Sequence, residues 1–332
     1  GTLSLPANES MTTLEQYTFN GCSGLSGTLT IPANVTIVSN SAFCNCSSFT
    51  GALVLHDAMT SIGVSAFYGC SNLSELTIGT GVTSIGGCAF WYCPNLTTVH
   101  FNATNCTQMS SQTIINNSYV YYPVFSCGSG YGLEAAPIVT LTIGENVTNI
   151  PAVAFKYCNN MNCDILIPDA VTSIGAYAFA NCSGHNVIIG SGVTNINSYA
   201  FNNSSAINGT LFIGDAVASI GQYAFEGCSG ITGDLVIPNA VTACDNMLSV
   251  AVALQGSLII GNGVQTINQN TFANCSGFAG SLILGTQVNS IGNNAFQNCN
   301  GFSLLITENP NPITATSSSF MGMNYSIPVY VP

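Results

Sequence analysis

Fifteen cysteines are the first residues of this 332-residue chain that could do chemistry. In an oxidising compartment they would supply a disulfide framework, and at suitable spacing a zinc site. Nine of them, Cys22, Cys46, Cys70, Cys93, Cys158, Cys182, Cys228, Cys275 and Cys299, stand three residues after a phenylalanine. Ser204, Val250 and Met323 hold the same slot elsewhere. A slot that accepts Val and Met is a packing position, where a free thiol acts as a small hydrophobe. Side chains stacked at the ~4.8 Å of neighbouring strands do not bring Cβ atoms to the ~3.8 Å a disulfide prefers. The expectation is therefore a column of free thiols. Cys44, Cys88, Cys106, Cys127, Cys163 and Cys244 fall outside it, and Cys106 with Cys127 is the candidate disulfide. No Cys-x-x-Cys pair has zinc spacing, and Cys44 and Cys46 lack a neighbouring His. No metal site is expected.

The other reactive types are scattered. His56, His100 and His185 lie far apart, and no Gly-x-Ser-x-Gly, phosphate loop or His-Glu-x-x-His occurs. The chain is expected to have no catalytic residues, no cofactor and no enzymatic activity. Asp57, Glu145, Asp169, Asp215 and Glu308, with Asn239 and Asn262, recur at one position of a repeat. Stacked carboxylates and amides could bind calcium, or they could cap their own turns.

Asn-x-Ser/Thr sequons are abundant. The glycosylation candidates are Asn8, Asn34, Asn72, Asn95, Asn102, Asn105, Asn116, Asn146, Asn208 and Asn324. Asn45, Asn181 and Asn274 precede column cysteines and are expected to serve turns, and Asn202 and Asn203 complete overlapping sequons. Tyr119, Tyr121, Tyr122 and Tyr131 cluster in one enlarged segment, where they would suit protein or glycan contact.

Charge narrows the partners. The chain has 13 acidic residues and a single cation, Lys156. With nothing to neutralise phosphates, nucleic acid and anionic membrane surfaces are excluded as partners. No run of 18 apolar residues exists, so no membrane insertion is expected. The sequence opens at Gly1 without an initiator Met or a charged-then-apolar leader, which reads as a mature form or part of a longer chain.

What positions these residues is a repeat. GTLTIPANVTIVSNSAFCNCSSF (27–49) and GALVLHDAMTSIGVSAFYGCSNL (51–73) share the pattern Leu-x-Ile, Pro or Gly, Val-x-x-Ile, Ala-Phe-x-x-Cys. Anchors on the second apolar residue of Leu-x-Ile are Leu5, Ile31, Leu55, Ile78, Phe101, Ile143, Ile167, Ile189, Ile213, Ile237, Ile260, Leu284 and Ile306. Successive anchors lie 22 to 26 residues apart, except for the 42 between Phe101 and Ile143. Leu-x-Ile alternates, so both residues face inward from a short strand, and the following Pro or Gly turns the chain. One such coil cannot bury its apolar residues alone, whereas stacked coils cover one another. The Ala-Phe step marks a corner, at Phe19, Phe43, Phe67, Phe90, Phe155, Phe179, Phe201, Phe225, Phe272, Phe296 and Phe320. Met247 and Phe125 are expected to take the slot in two atypical coils. The fold expected is one β-rich solenoid over residues 1–332, with about thirteen coils, short parallel strands and short helical or 3-10 turns. An enlarged irregular coil spans 102–137.

The string Leu-Thr-Ile-Pro-x-x-Val-Thr-Ser-Ile-Gly-x-x-Ala-Phe-x-x-Cys-Ser-x-Leu resembles the BspA-like class of leucine-rich repeats along essentially the whole chain. The resemblance implies a right-handed solenoid and a secreted or cell-surface protein used for adhesion, for binding host or matrix proteins, or for building surface layers. The expected function is a non-enzymatic extracellular structural or adhesive scaffold, self-assembling end to end into a glycosylated filament. The alternative is a recognition module that binds a host or matrix protein or a glycan through the enlarged coil. Expected partners are other copies of the chain or an extracellular protein or glycan.

Overall fold

The computed structural model describes residues 1–7, 10–115, 118–125, 137–249 and 254–331, without the side chains of 111–121. The chain forms two compact units, residues 1–163 and 164–332. Each is a parallel β-solenoid whose coils carry two short strands joined by turns.

The first strand of each coil is the Leu-x-Ile segment. In residues 1–163 the strands Gly51–Leu55, Leu73–Ile78, Thr98–Phe101 and Thr140–Ile143 form one parallel sheet. Leu53, Leu76, Val99 and Leu141 stand in register across it. In residues 164–332 the same position builds a three-stranded sheet, Ile165–Ile167, Val187–Ile189 and Leu211–Phe212. It also builds a five-stranded sheet, Leu235–Ile237, Leu258–Ile260, Ser281–Leu284, Leu304–Thr307 and Val329–Tyr330. Burial alternates inside, outside, inside along these strands, as a period of two demands. Where Gly follows the strand, the preceding coil presses close. A Cβ on Gly190 would lie 2.6 Å from the Ile167 carbonyl oxygen, so only glycine fits.

The second strand is the Ser-Ile pair. Leu14, Val38, Ile62, Ile85 and Met109 form one buried file in residues 1–163. Cys244, Ile267 and Ile291 do the same in residues 164–332.

The corner carries the largest side chains. Phe19, Phe43, Phe67 and Phe90 stack with ring centroids 5.1, 5.4 and 5.2 Å apart and planes within 11°. Phe125 continues the file, 5.8 Å from Phe90 and 6.3 Å from Phe155. Phe179, Phe201 and Phe225 stack at 5.1 and 5.2 Å, and Phe272, Phe296 and Phe320 at 5.4 Å each.

No helix occurs among the described residues; the expected short helical or 3-10 turns are hydrogen-bonded turns instead. The reason is a pair of left-handed residues, two before and two after the phenylalanine. Examples are Ser41 and Asn45 around Phe43, Ser65 and Gly69 around Phe67, and Tyr199 and Asn203 around Phe201. Left-handed residues interrupt any helix. They also turn three alternate N–H groups of the corner toward the next coil: Ser41 to Val64 O, Phe43 to Ala66 O and Asn45 to Tyr68 O, at 2.9, 2.8 and 2.6 Å.

That hydrogen-bond register corrects two sequence assignments. Phe225 N donates to Met247 O and Leu248 N to Thr271 O. Met247 therefore takes the alanine slot and Leu248 the corner slot. In the last anchored coil Ile283 pairs with Ile306 and Leu284 with Thr307. Ile306 is thus the outward middle residue and Thr307 the anchor; a one-residue slip moves a side chain to the other face.

Because Leu248 already serves as a corner residue, a branched aliphatic side chain is tolerated there. Phe201→Ala should cost about 3–5 kcal/mol by urea denaturation, the usual penalty for emptying a buried phenylalanine site. Phe201→Leu should cost less than half as much.

Candidate functional site

The thiol column is bonded as well as packed. Cys46, Cys70 and Cys93 each donate Sγ–H to the corner carbonyl of the preceding coil, at Phe19, Phe43 and Phe67, over 3.0, 3.2 and 3.3 Å. Cys228, Cys275 and Cys299 do the same to Phe201, Leu248 and Phe272. Ser204 replaces the thiol with a hydroxyl and reaches Phe179 O at 2.7 Å. In these seven coils the slot holds a small donor, whereas Met323 fills it in the last coil without one. The nine column cysteines are free thiols. Burial pushes Cys46 up to about 11 and Cys228 up to about 12. A nucleophile or metal ligand must be a thiolate, so these groups are inert near neutral pH. Val250 lies outside the described residues.

Two cysteines off the column also fill apolar slots. Cys106 takes the place of Val82 in the Val-Thr-x-Ile segment and Cys244 that of the second-strand Ile. Burial raises them to about 11 and about 12. Cys106 Sγ lies 3.5 Å from Gln108 O, and Cys127 lies outside the described residues.

The recurring Asp/Asn position serves the neighbouring coil rather than its own turn. Asp57 Oδ1 accepts Thr80 N at 2.9 Å, Asp169 Oδ1 accepts Ser191 N at 2.6 Å and Asn239 Oδ1 accepts Asn262 N at 2.7 Å. These N–H donors hold Asp57 and Asp169 below the usual carboxylate value. No cluster of three or more His, Cys, Asp or Glu with metal-binding geometry occurs among the described residues. Thr hydroxyls run a parallel ladder: Thr60 donates to Thr36 O and Thr83 to Thr60 O, at 3.1 and 3.0 Å.

The histidines stay apart. His56 Nε2 lies 3.0 Å from Pro32 O, and His185 is exposed. His100 bridges Thr142 Oγ1 at 2.6 Å and Glu75 Oε1 at 3.3 Å.

The enlarged coil is partly regular. Gln108–Ile115 and Ser118–Pro123 form an antiparallel hairpin, with Ser110 opposite Pro123 and Ile115 opposite Ser118. Its first two residues belong to the second-strand file, beside Ser84 and Ile85. Its return strand rejoins the corner, where Cys88 N donates to Pro123 O and Phe90 N to Val124 O, both at 3.0 Å. Tyr119, Tyr121 and Tyr122 lie on the return strand, and Tyr131 lies outside the described residues.

The sequence model described as BspA type leucine rich repeat region matches residues 2–121, 131–249 and 252–327, in six copies. The chain belongs to this family. No curated protein matches it by sequence. Among solved structures it is similar to a leucine-rich repeat protein from Eubacterium ventriosum, at 22% identity and a TM-score of 0.47, covering 95% of this chain and 81% of that one. It is also similar to a leucine rich cell surface protein from Faecalibacterium prausnitzii, at 20% identity and a TM-score of 0.42, covering 98% and 92%.

On this BspA-type frame the sequons divide by what their amides do. Asn34, Asn72 and Asn95 donate Nδ2–H to Met11, Ser47 and Ser71 carbonyls of the previous coil. Asn45, Asn181 and Asn274 are left-handed corner residues, with φ of 60, 57 and 62°. Asn105, Asn146, Asn208 and Asn324 are exposed, Asn102 is half-buried, and Asn8 and Asn116 lie outside the described residues.

One surface escapes a motif search: the middle residue of Leu-x-Ile. In residues 1–163 this outward file reads Val54, Thr77, His100 and Thr142. In residues 164–332 it opens with Leu166, Ile188 and Phe212 and stays apolar through the five-stranded sheet. The signal was present as Leu-x-Ile segments whose x is itself apolar.

Cys228→Ser should keep near-native stability because Ser204 shows the hydroxyl fits, whereas Cys228→Ala should lose about 1 kcal/mol or more with the donor. Native protein should leave Cys228, Cys244 and Cys299 unmodified by a thiol-specific reagent until denaturant is added. The ionised Asp169 is the hydrogen-bonded form. Its contribution is present above the unfolded carboxylate pKa of about 3.9 and is lost as pH falls through its lower folded value. Asp169→Asn should match the parent Tm at pH 7, as Asn239 does in the same slot, and show a smaller Tm decline below about pH 4.

Proposed function

We propose that this chain is a non-enzymatic structural or adhesive scaffold, displayed extracellularly or on a cell surface. The observation that carries this reading is where the reactive groups go. Thiols, threonine hydroxyls and the Asp57 and Asp169 carboxylates are each consumed in bonds from one coil to the next. A chain that spends its chemistry on stacking offers long faces rather than a reacting centre. No helix among the described residues is long and apolar enough to cross a membrane. Membership of the BspA-type family, whose resemblance implies surface display, supports the location. Glycans at Asn105, Asn146, Asn208 and Asn324 would solvate the surface of a chain with only 4% charged residues, and end-to-end filaments would be its assembled form.

Antibody labelling of intact, unpermeabilised source cells tests the location. Labelling equal to that of permeabilised cells is expected, and signal confined to permeabilised cells would contradict it. Intact-mass measurement of the same material should show hexose-containing adducts that peptide mapping places at the four exposed sequons.

The hairpin favours a second reading, recognition of a protein or glycan at residues 108–123, because it alone interrupts the repeat among the described residues. Met109 to Phe125 covers 16 positions where Ile85 to Phe90 covers five, an excess of 11. Deleting residues 111–121 restores the regular spacing from second strand to corner. The shortened chain should keep its Tm within about 3 °C and lose binding to glycan arrays and immobilised matrix proteins. Unchanged binding would remove the hairpin from consideration.

A further inference from the structure

The middle residue of Leu-x-Ile points away from the core, so packing does not dictate its type. A sheet with one face in water ordinarily carries polar residues there, as Thr77, His100 and Thr142 do. In the five-stranded sheet the file reads Val236, Ile259, Ile283, Ile306 and Tyr330, in continuous register. Val236 is 48% exposed and Tyr330 70%. Single apolar residues on a surface need no explanation, but a contiguous file of this kind marks an interaction surface. Its four steps of ~4.8 Å give about 19 Å, the length of an extended segment of about six residues.

The surroundings define what fits. Val236, Ile259 and Ile283 line a shallow depression of about 260 Å³ that also holds Asp215 and Glu308. Residues 164–332 contain no Lys or Arg. A second copy laid on this face would bring the same carboxylates against one another, with no cation between them, and like charges facing across an interface are unfavourable. Anionic membrane is repelled for the same reason. The complement in both shape and charge is an extended chain carrying apolar side chains and cations.

We infer that the apolar file at Val236, Ile259 and Ile283 docks a cationic amphipathic polypeptide segment. Its aliphatic or aromatic side chains lie on the file, and its Lys or Arg side chains reach Asp215 and Glu308. This deepens the scaffold reading by naming a surface and the chemistry of its partner. The two are separable, since positive labelling of intact cells with a failed peptide titration would overturn the docking alone.

The test titrates the full chain with labelled 12-residue peptides, read by fluorescence anisotropy. One alternates Lys with Val and Leu, a second replaces Lys with Glu, and a third replaces the apolar residues with Ser. The first should bind, and the other two should bind at least about tenfold more weakly. Ile259→Thr/Ile283→Thr imitates the file of residues 1–163 and should weaken the first peptide about tenfold. Asp215→Asn/Glu308→Gln should weaken it about fivefold at low salt and flatten its salt dependence. Val54→Thr should change nothing. If the threonine variant fails to fold, the Asp215→Asn/Glu308→Gln pair decides. The proposal is overturned if no peptide binds, if the Glu peptide binds equally, or if folded variants retain full affinity. It is also overturned if the file instead drives self-association in sedimentation or binding to phosphatidylcholine vesicles.

Discussion

The corner is the constraint on which every coil depends. Its phenylalanine is flanked by residues held at positive φ, including Tyr17, Tyr199 and even the β-branched Val153. Such backbone is costly for residues other than Gly and Asn. It persists because it aims three N–H groups at three carbonyls of the adjoining coil, while the phenylalanine ring stacks on the next ring 5.1–5.4 Å away along the regular file. No coil can satisfy these groups alone. The strained turn, the aromatic file and the thiol column are thus one device, with the Cys Sγ–H of the following coil adding a second donor to a corner carbonyl that already accepts an N–H of its own coil.

The same device explains the composition. A coil that must be covered above and below selects small donors at fixed places, so cysteine appears in number without disulfide spacing, and asparagine and threonine replace charge. With the interior and turns committed, variation is left to two places: the hairpin of residues 108–123 and the outward middle residues of the first strands.

Much of the architecture was legible because side-chain type repeats with coil position. The phenylalanine file and the placement of Phe125 follow from counting residues, and Asn45, Asn181 and Asn274 read as turn residues because Asn tolerates positive φ. Leu248 was not legible, since Met247 beside it is equally apolar and only hydrogen-bond register separates them. Ile306 failed for the same reason: Leu304, Leu305 and Ile306 are consecutive apolar residues, and a strand does not declare its face without alternation. The left-handed state of Ser41, Ser65 and Tyr199 has no signature in residue type, because it is imposed by the stack. The thiol bond had one clue, Ser204 among the cysteines, which places a hydroxyl donor in the thiol slot.

Amide hydrogen exchange at the corner reads out this coupling between coils. Phe43, Phe67 and Phe201 amides, each donating to the adjoining coil, should exchange among the slowest in the chain and together with their stacked neighbours. Exchange of these amides as fast as that of exposed turn amides would mean that coils are not held by their corners.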